Sequence, residues 1–572
     1  MNEVLKMDIW AKLQEKPFFL DEESLAWVRD TLSSMTLEQK VGHLFCLIVR
    51  RGDSKELEET LQVLTPAGFM YRQMPLERAA AFTKLLRERI AIPMLIAANL
   101  EKGGDGVLQE GTPFSSSMGV AATDDEGFAY KLGAVCAEEA AAAGVNWAFA
   151  PVADIDNNFR NPITNTRTYG ADARRVRRMT QAYCQAVQER GLAACLKHFP
   201  GDGCDERDQH LVTSVNSLNC EAWDESYGEI YRAGIEQGVL TVMCVHIMQP
   251  AWSKRLDPQL EDGDILPASL SRELLQGLLR EHCGFNGVIV TDATTMTGFT
   301  IPLPRRQAVP QAIAAGADLF LFTRNLKEDY QYMMDGVQKG VITPERLDEA
   351  VARTLALKAA LGLHRPASQG KKPSFSVGDP QFHAWARDCA DHAITLVKEQ
   401  PGVLPLSVKK YPRVLYYPIE NEGSVSSYGG KAGACGRFEQ LLRNEGFQVE
   451  VFRPDNFLEG QTRPAAEFEQ NYDVILYLAN LATKSNQTTV RIEWQPPMGA
   501  NCPLYLNSIP TVFVSVENPY HLLDVPRVKT YINTYYSAPD VLDALMDKLM
   551  GRSAFCGESP VDAFCGKWDT RL

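Results

Sequence analysis

The feature that most constrains the fold is a series of short apolar runs in the first 330 residues, separated by stretches with helical periodicity. Continuous apolar runs are typical of parallel strands that are covered on both faces. The runs lie at 43–49, 67–71, 93–99, 145–152, 192–198, 239–246, 287–292 and 317–323, and the clearest helical patterns at 125–144 and 173–191. Eight such strand–helix units predict a (β/α)₈ barrel, with a doubly wound sheet as the alternative.

Polar residues cluster where these runs end, and this favours the barrel. They are Asn99, Asp154, Lys197 with His198, His246 and Asp292. In a (β/α)₈ barrel the carboxyl ends of the strands converge on one mouth, where active sites lie, whereas an open sheet spreads them along an edge.

A second α/β pattern follows a polar stretch at 364–380, which we interpret as a linker. Its predicted strands lie at 413–419, 447–452, 473–479, 511–516 and 529–535, with helices such as 436–446 between them. These observations predict a catalytic barrel over 1–363, a linker and helix over 364–394, and an open α/β sandwich domain over 395–572.

Composition limits the class of partner and the compartment. The net charge of −14 and the pI near 5.3 argue against nucleic acid or an anionic membrane as the main partner. The thirteen cysteines are scattered without zinc-ribbon spacing, and the first sixteen residues lack the pattern of a secretory signal. No run is long enough to span a membrane. We therefore expect a cytoplasmic protein.

The stretch CLKHFPGDGCDERDQHLV at 195–212 crowds four acidic residues beside a histidine. A solvated acidic loop, a metal site and an acid/base device all fit this composition. Metal is disfavoured because no second histidine stands at helical spacing. Asp208 precedes His210 by two residues, so its carboxylate can hold one imidazole nitrogen while the other transfers a proton. Lys197 and His198 end the strand and should face the mouth.

Asp292 directly follows the apolar run 287–291. On its own it could be a helix N-cap, because aspartate is common at that position. At a barrel mouth the same carboxylate could instead attack an electrophilic carbon. Its combination with the loop at 195–212 favours the second interpretation.

Five spaced motifs together resemble glycoside hydrolase family 3, and most closely its β-N-acetylglucosaminidase branch. They are KHFPGDG with DQH (197–210), APVADID with RTYG (150–170), TPFSSSMGVAAT (112–123), AIAAGADLFL (312–321) and the run from LPASL to TDATTM (266–296). The resemblance covers roughly residues 30–400, and TLVKEQPGVLPL (395–406) resembles the junction into the family's second domain.

The resemblance implies a retaining, two-step mechanism without a cofactor or metal. Asp292 matches the nucleophile that forms a covalent glycosyl–enzyme, and His210 with Asp208 matches the acid/base pair. Residues that match contacts to hydroxyls of the terminal sugar are Lys197, His198 and Arg167. A histidine acid/base also avoids a second anion beside the nucleophile, so phosphate could replace water as the acceptor.

Three departures from the family pattern affect the expected sugar contacts. The family's D-x-E-G-G-R is here NLEKGGDG (99–106), with Asn99 in place of the aspartate and Lys102 inserted. Asp202 stands where the branch commonly has a second histidine, and either shapes the turn or contacts the sugar. Met296 follows the nucleophile in a slightly different run and is expected to line the pocket or to pack in the core.

We therefore expect a retaining exo-β-glycosidase, most simply a β-N-acetylhexosaminidase that removes a terminal non-reducing amino sugar. A β-glycoside phosphorylase or β-glucosidase of the same family is the alternative, and an inactive sugar-binding protein is the alternative of a different class. The expected partner is a carbohydrate, with neither nucleic acid nor membrane, and the oligomeric state is left open.

Overall fold

The structure, a computed structural model, describes residues 9–365, 373–420, 433–453, 462–482 and 485–572. Part of the predicted linker (366–372) and the first eight residues lie outside the described residues. The chain forms two compact units. Unit 1 comprises 1–113, 129–155 and 176–379, and unit 2 comprises 114–128, 156–175 and 380–572.

The strands of unit 1 coincide with the predicted apolar runs. They are β1 (Phe45–Ile48), β2 (Gly68–Tyr71), β3 (Leu95–Ala98), β4 (Trp147–Ala148), β5 (Cys195–Phe199), β6 (Thr241–Cys244), β7 (Val288–Thr291) and β8 (Phe320–Leu321). Nearly all of their residues are buried, as is expected for strands that are covered on both faces.

These eight strands form a closed parallel ring. Continuous pairing links β8, β1, β2, β3 and β4 in that order, and a second set links β5, β6 and β7. Parallel bridges join the two sets, at Trp147–Ala193 between β4 and β5 and at Val290–Leu319 between β7 and β8. Unit 1 is therefore the predicted (β/α)₈ barrel, and its strand order follows the sequence.

Helices cover the outside of this ring and return the chain between parallel strands. Those wholly or mostly in unit 1 are Glu22–Ser34, Leu37–Gly42, Ser54–Leu61, Leu76–Arg89, Glu126–Ala142, Ala173–Glu189, Cys220–Trp223, Glu229–Gln237, Pro250–Leu256, Glu273–His282, Thr297–Thr300, Arg305–Ala315, Leu326–Gln338 and Pro344–Ala360. Several begin at polar caps that satisfy unpaired backbone N–H groups, as Asn325 does for Glu328. Two short strands, Ser214–Val215 and Ile247–Met248, pair with each other outside the ring.

Unit 2 contains an open, mostly parallel sheet. Its strands are β9 (Thr395–Lys398), β10 (Arg413–Glu420), β11 (Gln448–Val451), β12 (Val474–Asn480), β13 (Thr511–Ser515) and β14 (Thr530–Asn533), in the order β9-β14-β13-β12-β10-β11. Only β9 is antiparallel, and it was not among the predicted strands. The helices of unit 2 are Ser117–Ala122, Pro380–Ala393, Ala434–Asn444, Ala465–Asn471 and Pro539–Leu549.

Both faces of this sheet are buried against separate apolar clusters, as the predicted sandwich requires. One face carries a row of aromatic rings in register across four strands, at Tyr417, Tyr477, Phe513 and Tyr531. Neighbouring rings are nearly parallel, with centroids 4.4 to 5.6 Å apart. No helix in the described part of the chain is long and apolar enough to cross a membrane.

Candidate active site

The candidate residues of unit 1 lie at the carboxyl ends of the barrel strands, as the sequence predicted. Asn99 directly follows β3, Lys197 and His198 lie within β5, and Asp292 directly follows β7. Met296 caps the short helix Thr297–Thr300 and is 5% exposed, so it is largely buried at this end of the barrel. The carboxyl ends form one rim of a closed ring, and the structure therefore brings these residues to one face.

Asp208 and His210 form a close hydrogen-bonded pair on the loop that follows β5. The distance from His210 Nδ1 to Asp208 Oδ1 is 2.6 Å, and the same oxygen accepts the His210 backbone N–H at 2.8 Å. The Asp208 side chain is fully buried, whereas the imidazole is 18% exposed. A carboxylate can only accept here, so Nδ1 carries a hydrogen and Nε2 is the nitrogen that can exchange a proton with a substrate.

Lys197 is held by a carboxylate that the sequence analysis did not single out. Its Nζ lies 2.7 Å from Glu101 Oε1, and both side chains are almost completely buried. The same Nζ donates to Asn99 Oδ1 at 3.4 Å. The ammonium has three N–H donors, and these contacts account for two of them.

His198 is fixed by a second buried aspartate, Asp154, which lies six residues beyond the adjacent strand β4. Its Nδ1 lies 2.6 Å from Asp154 Oδ2, and its backbone N–H donates to Asp154 Oδ1. Asp154 Oδ1 also accepts the backbone N–H of Asp202 at 2.8 Å. One carboxylate thus orients both the His198 imidazole and the start of the loop that carries His210.

Asp292 is buried among imidazoles that favour its ionised form. Burial raises the pKa of its carboxyl, but the charges of His198, His246 and His210, together with the hydrogen bond from the Ala293 backbone N–H, more than offset this, and the pKa is lowered overall. Its Oδ1 accepts the backbone N–H of Ala293 at 2.6 Å. Asp292 is therefore a carboxylate at neutral pH, as a nucleophile must be.

Two of the remaining acids of the stretch 195–212, Asp202 and Asp205, make structural contacts. The Asp202 carboxylate accepts hydrogen bonds from the backbone N–H of Gly203 and, at 3.4 Å, from the side-chain Nε2 of Gln209, so it shapes the turn. Asp205 pairs with Arg207 and accepts the backbone N–H of Val215. Glu206 is exposed. Within the described residues no group of three or more His, Cys, Asp or Glu side chains is placed to hold a metal ion.

Arg167 lies in unit 2. It ends the 3₁₀ turn Asn165–Arg167, is 4% exposed, and donates to the Ile163 carbonyl at 3.3 Å. Its assignment as a sugar contact stays a prediction.

Sequence reasoning noted Asp154 and His246 only as strand-end polar residues and gave Glu101 no role. Their partners are far along the chain: Glu101 and Lys197 are separated by almost a hundred residues, and His246 contacts Ser269 and Ala293. In the sequence these residues are marked only as polar residues near the carboxyl ends of predicted strands. This identifies the end of the barrel where they lie, but not the residues that they contact.

The comparisons with known proteins agree with the barrel fold. Residues 36–357 match the model described as the glycosyl hydrolase family 3 N terminal domain. The chain is 53% identical over 561 residues to a beta-N-acetylglucosaminidase/beta-glucosidase of Cellulomonas fimi. The aligned region covers 98% of this chain and 100% of that protein.

Two solved structures are similar over nearly the whole chain. The first is titled beta-glucoside phosphorylase BglX, with 43% identity, a TM-score of 0.91, and coverage of 98% of this chain and 100% of that one. The second is a family 3 beta-N-acetylglucosaminidase from Paenibacillus sp. str. FPU-7, with 25% identity, a TM-score of 0.78, and coverage of 93% and 99%. From the matched domain, the barrel and these relatives together, the chain belongs to glycoside hydrolase family 3.

Proposed function

We propose that the protein is a retaining exo-β-glycosidase in which Asp292 is the nucleophile and His210, held by Asp208, is the acid/base. The observation that carries the proposal is the 2.6 Å contact between His210 Nδ1 and a fully buried Asp208, with the His210 imidazole close enough to Asp292 to lower the pKa of its carboxyl. An isolated loop histidine would have neither a fixed tautomer nor this neighbour.

The reaction would take place in two displacements at the anomeric carbon. In the first, an Asp292 oxygen bonds to that carbon while the glycosidic C–O bond breaks, and His210 Nε2 gives its proton to the departing oxygen. In the second, Nε2 removes a proton from the acceptor, whose oxygen bonds to the anomeric carbon as Asp292 leaves. Asp208 stabilises the imidazolium whenever His210 carries both protons.

The substrate we propose is a terminal, non-reducing β-N-acetylhexosamine or β-glucoside. The names of the Cellulomonas and Paenibacillus relatives support this sugar class. Lys197 supplies a donor to the sugar hydroxyls, and His198, Met296 and Arg167 are the further contacts we propose. Because Asn99 Oδ1 faces the Lys197 ammonium, its Nδ2 donors are directed elsewhere. Asn99 is half-buried, and we propose that its Nδ2 N–H groups donate a hydrogen bond to an oxygen of the sugar.

Phosphorolysis is the second candidate, and two observations favour it. A protein whose sequence is 43% identical to this chain over nearly its whole length is named a beta-glucoside phosphorylase. In addition, the acid/base is an imidazole and not a carboxylate, so an anionic acceptor approaching Asp292 meets one negative charge fewer. With phosphate as acceptor the product would be a sugar 1-phosphate that keeps the β configuration.

Turnover of p-nitrophenyl β-N-acetylglucosaminide and β-glucoside, with and without inorganic phosphate, tests these proposals. We expect p-nitrophenol release from at least one substrate, and loss of at least about 10³-fold in kcat for Asp292→Asn, which has no anionic nucleophile. A sugar 1-phosphate in the phosphate arm would establish phosphorolysis, and free sugar alone would establish hydrolysis. Binding of the sugar without any turnover would support the inactive sugar-binding alternative and contradict the proposal.

A further inference from the structure

The loop that carries Asp208 and His210 is attached to the barrel by the residue between them. We propose that Gln209 and Gly298 are positioning residues that hold this loop against the segment following Asp292, and so set where the His210 imidazole stands. The inference rests on the proposed acid/base role of His210.

The Gln209 side chain is buried in the protein. It is 2% exposed. Its Oε1 accepts the backbone N–H of His246 at 3.1 Å, and its Nε2 donates to Asp202 Oδ2 at 3.4 Å. Both ends of the amide are therefore occupied by groups of unit 1, one after strand β6 and one at the start of the loop itself.

The backbone of the loop is bound to the chain just beyond the nucleophile. The N–H of Thr297 donates to the His210 carbonyl at 3.0 Å, and the hydroxyl of Thr213 donates to the Gly298 carbonyl at 3.0 Å. One of these hydrogen bonds is accepted by the acid/base histidine itself and the other is donated three residues further along the loop, and both join the loop to a segment that begins five residues after Asp292.

Close contact at this place requires glycine at position 298. A Cβ there would lie 2.5 Å from the Gln209 carbonyl oxygen and 2.8 Å from the Val212 carbonyl oxygen, with the His246 Cβ at 3.0 Å. Both oxygens belong to the backbone of the loop, so no side-chain rotation can relieve the contact. Any larger residue must push the loop away from the segment after Asp292.

His246 connects this attachment to the nucleophile. Its imidazole is completely buried, with Nδ1 2.9 Å from Ser269 Oγ and Nε2 3.1 Å from the carbonyl oxygen of Ala293. Ala293 in turn donates its N–H to Asp292. His246 thus contacts the Gln209 side chain through its backbone N–H, and it contacts Ala293, the residue next to the nucleophile, through its imidazole.

These contacts make a specific prediction about catalysis. Moving the loop by about 1 Å should disturb proton transfer, because misplacement on this scale can cost about 10²-fold in rate. It should have little effect on glycosides whose leaving group departs without a proton. A general loss of folding or of sugar binding would instead affect all substrates alike.

The test measures kcat/KM, which reports formation of the glycosyl–enzyme, for phenyl and 2,4-dinitrophenyl β-glycosides of the preferred sugar. For Gly298→Ala we expect a loss of about 10²-fold on the phenyl glycoside and less than about threefold on the dinitrophenyl glycoside. Gln209→Leu, which removes both hydrogen bonds at similar size, should change the two substrates in the same unequal way. Gly263→Ala is the matched control, because that glycine is exposed, has nothing within 4 Å of an added Cβ, and should leave both rates unchanged.

His210→Ala in the same assay separates failure of this inference from failure of the proposed function. If His210→Ala shows the unequal loss but both Gly298→Ala and Gln209→Leu reduce the two substrates equally or not at all, the positioning role is wrong. If His210→Ala itself shows no dependence on the leaving group, the acid/base assignment is wrong. Should Gly298→Ala fail to fold, the result for Gln209→Leu decides.

Discussion

The ion pair between Glu101 and Lys197 offers the most direct test of how this site is held together. The side chains are 5% and 3% exposed, and the Nζ–Oε1 distance is 2.7 Å. Glu101→Gln keeps the shape of the side chain and removes its charge, so the Lys197 ammonium stays buried and loses this carboxylate. Lys197→Met, in contrast, removes the cation and leaves an apolar chain of similar length.

The expected cost follows from the burial and the distance. At an effective dielectric constant of about 20, two unit charges 2.7 Å apart attract by about 6 kcal/mol. Part of this offsets the removal of both groups from water, and breaking a buried pair typically costs roughly 3–5 kcal/mol. We expect Glu101→Gln to destabilise unit 1 by about 3 kcal/mol. The double variant Glu101→Gln/Lys197→Met should be more stable than Glu101→Gln alone, because it buries no uncompensated charge.

Urea unfolding followed by tryptophan fluorescence measures these differences, with the transition of the barrel analysed separately from that of unit 2. The comparison of the two single variants with the double variant gives the coupling energy directly. Additive losses, with the double variant the least stable of the three, would refute the reasoning. They would mean that the pair contributes no more than two independent side chains.

Three further outcomes follow from the site and from unit 2. Asp208→Asn should lower kcat/KM for phenyl glycosides by about 10²-fold or more, since an amide cannot stabilise the His210 imidazolium, and a change below twofold would contradict the pairing. The pKa of the Asp292 carboxyl is lowered from its ordinary value of 3.8, so ionised Asp292 stabilises the fold above about pH 4, and this contribution is lost as the pH falls towards the lowered pKa. The thermal midpoint of wild type should therefore fall relative to that of Asp292→Asn between about pH 5 and about pH 3. A difference between the two midpoints that does not change with pH would contradict the lowered pKa. Phe513→Ala, in the centre of the aromatic row and fully buried, should cost about 3–5 kcal/mol in urea unfolding of unit 2, and a loss below about 1 kcal/mol would show that the row does not contribute to stability.

The strand positions could be predicted because most barrel strands are short apolar runs, which are typical of strands that are buried on both faces. Strand β5 departs from this only at Lys197 and His198, near its carboxyl end. The antiparallel strand Thr395–Lys398 was missed for the opposite reason. It is only four residues long, lies at the edge of its sheet, and three of its four residues are half-buried, so no apolar run marks it. Its pairing depends on β14, more than a hundred residues later.

The sequence by itself determined which residues stand at the carboxyl ends of the barrel strands, and that Asp208 and His210 are close enough in the chain to pair. Both are local properties, set by the two-residue spacing and by the end of an apolar run. Only the tertiary structure decided that Glu101 meets Lys197, that Asp154 meets His198, and that His246 connects the Gln209 side chain to the neighbour of Asp292. These partners lie on or after different strands, and closure of the ring brings them together. The spacing of residues along the chain does not predict which of them meet.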